Sequence, residues 1–151
     1  MQSRIAFLHA GTRLPLGAES RERPLELVVP YTSPALAAQA LAGALKLAQG
    51  FDAAVTLMAV HVLPYPSPLE CQEGIRQRLE AELKTVARTS TVSVRVKLVF
   101  ARDREEAYLG LLPRRSLVVI GTRDRWWRTR EERLARRLAA DGHSVAVVKV
   151  K

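Results

Sequence analysis

The chain has almost no cysteine, few histidines and no long apolar run, and each shortage closes off a class of function. Cys71 is the only cysteine among 151 residues, so no internal disulfide can form, and a reducing, cytoplasmic setting is the simplest expectation. Cys71 opens a helical pattern, where a helix dipole lowers a thiol pKa, but a small residue at a helix start needs no chemical role. His9, His61 and His143 are scattered, without metal-ligand spacing or a neighbouring nucleophile motif. No stretch approaches the roughly 20 apolar residues that span a bilayer. The apolar segment from Ile5 to Ala10 is too brief for a secretory core. Membrane insertion is therefore not expected. Asp103, Glu105 and Glu106 read as a solvated helix start rather than as an acid and base. No catalytic set converges, and an enzyme is the least favoured reading.

What is present is enough apolar material for one core. Apolar residues make up 48 % of the chain, and a domain of this size buries roughly 70 % of the surface its unfolded form exposes. Residues 1–23 carry mixed signals and read as an appended arm, with a short strand or loose segment around Ile5 to Leu8. Residues 24–151 read as one domain. Leu25 to Pro30 is a short apolar run, as expected of a strand buried on both faces. Ser33-Pro34 is a helix start, and the alanine-rich helix from Ala35 to Gln49 stops at Gly50. Ala54 to Val62 is a second strand, and the proline-rich Leu63 to Pro68 a loop. Glu70 to Arg88 is an amphipathic helix.

Val92 to Phe100 alternates apolar with Ser93, Arg95 and Lys97, so it belongs at or near a sheet edge. Arg104 to Leu112 is a short helix, and Leu117 to Ile120 an apolar strand closed by Gly121. Thr129 to Glu132 opens a helix to about Ala140 with a capping box. Val145 to Val150 is the last strand. Strands alternating with helices give an α/β fold, an open, doubly wound, five-stranded parallel sheet with helices on both faces.

Such sheets hold ligands beyond the carboxyl ends of their strands, where strand order reverses. The loops after the two most apolar strands are the candidates: Tyr31, Thr32 and Ser33 in one, Gly121, Thr122, Arg123, Arg125 and Arg128 in the other. Both lead into helix N-termini, which favour anions.

Leu27-Val28-Val29-Pro30, the strand Val55 to Val62, and Leu117-Val118-Val119-Ile120-Gly121-Thr122-Arg123 followed by a helix and Ser144 to Lys149 resemble universal stress proteins. The resemblance covers about Leu25 to Lys151. It implies a Rossmann-like sheet in the order 3-2-1-4-5, with the crevice between first and fourth strands. ATP-binding members carry an aspartate after the first strand and a G-x2-G-x9-G-[ST] loop after the fourth. Here the aspartate position is Thr32. Gly121 keeps the first glycine, but Asp124 stands at the second and Leu134 at the third. An aspartate where backbone must approach a triphosphate adds bulk and repulsion. The expectation is a non-catalytic regulatory or binding module with weak or no ATP binding and no resident cofactor.

Two alternatives rest on charge. The formal net charge is +9, which attracts anionic ligands, nucleotides and nucleic acids alike. Arginines crowd the segment from Arg114 to Arg137. On a helix Arg130, Arg133, Arg136 and Arg137 share one face, with Leu134, Ala135 and Leu138 opposite. They are either a solvated face or an anion surface. Trp126-Trp127 either packs or stacks on bases. The alternatives are therefore an ATP-binding stress protein using arginines for phosphate, or a nucleic-acid binder. A homodimer is also expected, through Val145, Val147, Val148, Lys149 and Val150, because the resemblance places that strand at a sheet edge.

Overall fold

The computed structural model describes residues 4–8, 25–50, 52–68, 72–113, 116–124 and 129–150. The chain order is β1 (Arg4–Leu8), β2 (Leu25–Pro30), α1 (Pro34–Ala48), β3 (Ala53–Val62), α2 (Glu73–Ala87), β4 (Val94–Ala101), α3 (Arg104–Leu111), β5 (Leu117–Arg123), α4 (Arg130–Ala140) and β6 (Ser144–Val150). The sheet order is β1-β6-β5-β2-β3-β4. From β2 to β6 every pairing is parallel. The doubly wound five-stranded parallel sheet is therefore present as the strand–helix alternation implied, in the order 3-2-1-4-5 that the resemblance implied.

Strand alternation builds two cores. Leu27, Val29, Leu57, Val119, Ala146 and Val148 face α1 and α2, meeting Leu41, Leu83 and Val86. Val28, Met58, Val118, Ile120, Val145 and Val147 face α3 and α4, meeting Tyr108, Leu134 and Leu138. Central strands buried on both faces explain the near-continuous apolar runs. Small residues set how closely α1 approaches the sheet: Ala37, Ala40, Gly43 and Ala44 are all buried along it. The Ser33 hydroxyl caps α1 by accepting from the Leu36 amide at 3.3 Å. Thr129 caps α4 the same way through the Glu132 amide at 3.2 Å. Gly50 and Gly142 follow helix ends with φ of +82° and +95°, the left-handed backbone that glycine adopts without steric cost.

Two expectations need correction. First, β5 does not close at Gly121. It continues through Thr122 and Arg123, held in register with Val148, Lys149 and Val150 of β6. Second, β6 is not a sheet edge. β1 lies against it antiparallel, Arg4 opposite Lys149 through Leu8 opposite Val145. The arm before the domain thus supplies a sixth strand. The residues assigned to a dimer interface are instead occupied within one chain: Val145, Val147 and Val148 are at most 6 % exposed, and Lys149 and Val150 stand in the ladder with β5. The sheet's edges are β1 and β4, and on β4 Arg95 and Lys97 are exposed as the alternation implied.

Candidate functional site

The crevice of a doubly wound sheet opens where two neighbouring strands send their connections to opposite faces. Here those strands are β2 and β5. They pair only at Leu27 with Leu117 and Val28 with Val118. Beyond that point β2 stays with β3 and β5 with β6. The topology therefore brings the Tyr31–Ser33 turn and the end of β5 to the same end of the sheet, as the sequence predicted.

The side chains at this opening are already engaged. Ser33 Oγ is the α1 cap. The Tyr31 hydroxyl donates to Glu82 Oε2 on α2 at 3.4 Å; burial, and then the Glu82 charge, raise the phenol above its ordinary range. A carboxylate thereby stands beside the first candidate loop. Thr32 is half-buried.

Gly121 is in van der Waals contact with α1. A Cβ placed on it would lie 2.5 Å from the Leu36 carbonyl oxygen and 3.1 Å from the carbonyl carbon. The glycine is required because the first helical turn rests on β5. Next to it, Thr122 is fully buried on the α3/α4 side, and its Oγ1 has no hydrogen-bond partner among the described residues. Arg123 and Asp124 are exposed, and the Asp124 amide donates to the Val150 carbonyl at 3.0 Å. Leu134 is 2 % exposed in the α4 core. Arg125 and Arg128 lie outside the described residues, as do Cys71, Arg114, Arg115, Trp126 and Trp127.

Two features went unread in the sequence. Arg102, in the turn after β4, donates to the carbonyls of Leu63, Pro64 and Ser67 at 3.1, 2.9 and 2.6 Å. It also stacks over Tyr65 at 4.2 Å from the ring centre. One guanidinium fork thus ties down the proline-rich loop beyond β3. A lone arginine after a strand gives no local sign of this. The second feature is a cavity of about 290 Å³ lined by Glu26, Thr56, Met58, Arg95, Val96, Lys97, Leu111 and Pro113. It sits toward the amino-terminal half of the strands, away from the crevice.

Among the described residues no group of three or more His, Cys, Asp or Glu side chains is placed to hold a metal ion. No helix among them is long and apolar enough to cross a membrane. Asp103 caps α3 through the Glu106 amide at 2.9 Å, and Glu105 pairs with Arg137 at 2.9 Å. No family profile matches the chain, and no curated protein is similar enough to count as a relative.

Proposed function

We propose that the chain is a non-catalytic binding or regulatory module of the universal stress protein type, acting in the cytoplasm, whose crevice takes ATP weakly or not at all. The observation that carries the second half is the register of β5. A phosphate loop needs backbone amides that point at the ligand without partners. Here β5 stays in register with β6 through Arg123 and the Asp124 amide donates to the Val150 carbonyl, so the amides on the Asp124 side of this segment point at β6 rather than into the crevice. Gly121 has a packing reason for being glycine that needs no phosphate. Glu82 beside Tyr31 adds a repulsive charge near the opening. The first half rests on the sheet order and on the sequence resemblance.

The test is calorimetry of the purified chain with ATP near physiological ionic strength, with mass spectrometry for carried-over nucleotide. The expected result is no bound nucleotide and no saturable heat at tens of micromolar. A dissociation constant in the low micromolar range, insensitive to moderate salt, would overturn it in favour of a nucleotide site built on Arg123, Arg125 and Arg128. Homodimerisation through β6 belongs to this proposal only with β1 displaced, since β1 holds the edge that a second copy would use.

A further inference from the structure

The outward face of α4 consists almost wholly of arginine. Its exposed positions are Arg130, Arg133, Arg136, Arg137 and Ala140. The inward ones, Leu134, Ala135, Leu138 and Ala139, are buried against β5 and β6. Glu131 and Glu132 are half-buried in the first turn, Glu131 in line with the buried stripe and Glu132 at its edge, where the helix dipole favours them. Arg137 is held by Glu105 of α3. Arg130, Arg133 and Arg136 form no ion pair among the described residues.

These three follow one another at intervals of three residues, so their side chains leave the helix about 5–6 Å apart along one ridge. Like charges that close repel, and no described residue forms an ion pair with any of the three. Something outside the chain is the natural neutraliser. Each is arginine, whose planar fork binds phosphate in two places and stays charged at any physiological pH. Among the described residues α4 presents no aromatic ring for base stacking, and none of the exposed large apolar side chains lies on it, so the helix itself offers no partner to unpaired bases or a lipid interior. A rigid row of phosphates does, because a duplex strand repeats its charge every ~3.4 Å of axial rise.

We propose that α4 docks on the phosphate backbone of double-stranded nucleic acid through Arg130, Arg133 and Arg136, without reading sequence. The surface lies on the outer side of a helix and is independent of the crevice. Binding to it neither needs nor excludes a nucleotide there.

The test is fluorescence anisotropy of the full chain with a labelled 20-base-pair DNA duplex of arbitrary sequence, over a range of salt. Two variants are compared. One is Arg130→Gln/Arg133→Gln/Arg136→Gln. The other removes three charges from exposed positions on the opposite helical layer, Lys46→Gln/Arg78→Gln/Arg88→Gln. Each contacted phosphate contributes about 0.9 to the slope of log affinity against log salt. The α4 variant is therefore expected to lose two to three in slope and at least tenfold in affinity at low salt. The opposite-layer variant should keep most of both. If the two variants weaken binding equally, the attraction is the net charge alone and the proposal fails. It also fails if a 20-nucleotide single strand binds more tightly than the duplex, or if vesicles rich in phosphatidylserine bind through these arginines while the duplex does not. Should the triple α4 variant lose its cooperative thermal transition, Arg133→Gln alone reads the same effect as a slope loss of about one.

Discussion

Residue identity at two positions is fixed by contacts that no neighbouring residue announces. At Gly121 the constraint is the Leu36 carbonyl, 2.5 Å from where a Cβ would stand. Backbone at a helix start cannot swing aside as a side chain does, so Gly121→Ala is expected to cost about 1–3 kcal/mol, the usual range for overpacking. Gly43 offers the internal comparison. Its Cβ would meet Val148 Cγ2 at 2.8 Å, but alanine recovers up to about 1 kcal/mol of helix propensity there. Urea denaturation should therefore rank Gly121→Ala as the more damaging. Parent-like stability for Gly121→Ala would mean that α1 does not rest on β5 as described.

Tyr108 sets an alkaline limit. Its hydroxyl donates to the Met58 carbonyl at 3.1 Å, and burial pushes its pKa to about 12 against a smaller opposing pull from Arg104. The unfolded phenol titrates near 10. Its folded value is raised, so the folded state binds the proton more tightly. The resulting stability is complete below pH 10 and is lost as pH rises through about 12. Thermal unfolding followed from pH 9 to 12 should show this loss in the parent and a flatter profile in Tyr108→Phe. Equal slopes in the two would remove Tyr108 as the cause.

At the scale of elements, legibility followed how local the cause was. Period-two alternation placed β4 at an edge with Arg95 and Lys97 outward, because a half-buried strand writes its pattern into its own residues. Ser33-Pro34 and Thr129 with Glu132 marked helix starts for the same reason: capping is a contact within four residues. The end of β5 was misread because glycine followed by polar residues looks like a turn. The cause of that glycine is α1, far away in sequence, and the polar residues after it are ladder positions opposite β6. β1 was read only as a short strand or loose arm, since its partner is the last strand of the domain. Tyr31 and Ser33 follow the carboxyl end of β2, but their engagement by Glu82 and by the Leu36 amide is not visible in a linear reading.

The position of β1 gives a prediction about assembly. β6 is apolar on both faces, and β1 satisfies its outer hydrogen-bonding groups. Deleting residues 1–8 leaves those groups bare, and bare edges pair with other chains. Light scattering at tens of micromolar should then report dimers or larger species for the truncated chain, and a smaller mass for the full one. Self-association of both to the same extent would mean that β1 does not guard the edge.

For the whole molecule the question is whether a charge of +9 makes a nucleotide site of a crevice in which β5 stays with β6 to its end. Net charge raises the local concentration of any polyanion, but this effect is long-ranged, unspecific and screened by salt. A nucleotide site adds two things: amides fixed on the phosphates, and groups that recognise the nucleoside. The first is reduced because the β5–β6 register runs to Arg123 and the Asp124 amide is bonded to Val150, which commits alternate amides of the segment to β6. Under the proposed stress-protein reading, the second is weakened by Thr32 in place of a carboxylate. ATP and inorganic tripolyphosphate should therefore bind alike, weakly and with the same steep salt dependence, because only the shared phosphates are felt. Asp124→Gly tests the account from the other side. It removes the repulsive carboxylate but leaves the amide in the ladder and Leu134 in the core, so ATP affinity should rise less than about tenfold, the gain from deleting one screened charge. A hundredfold rise, or a preference for ATP over tripolyphosphate that survives physiological salt, would show that the end of β5 leaves the sheet to hold phosphate.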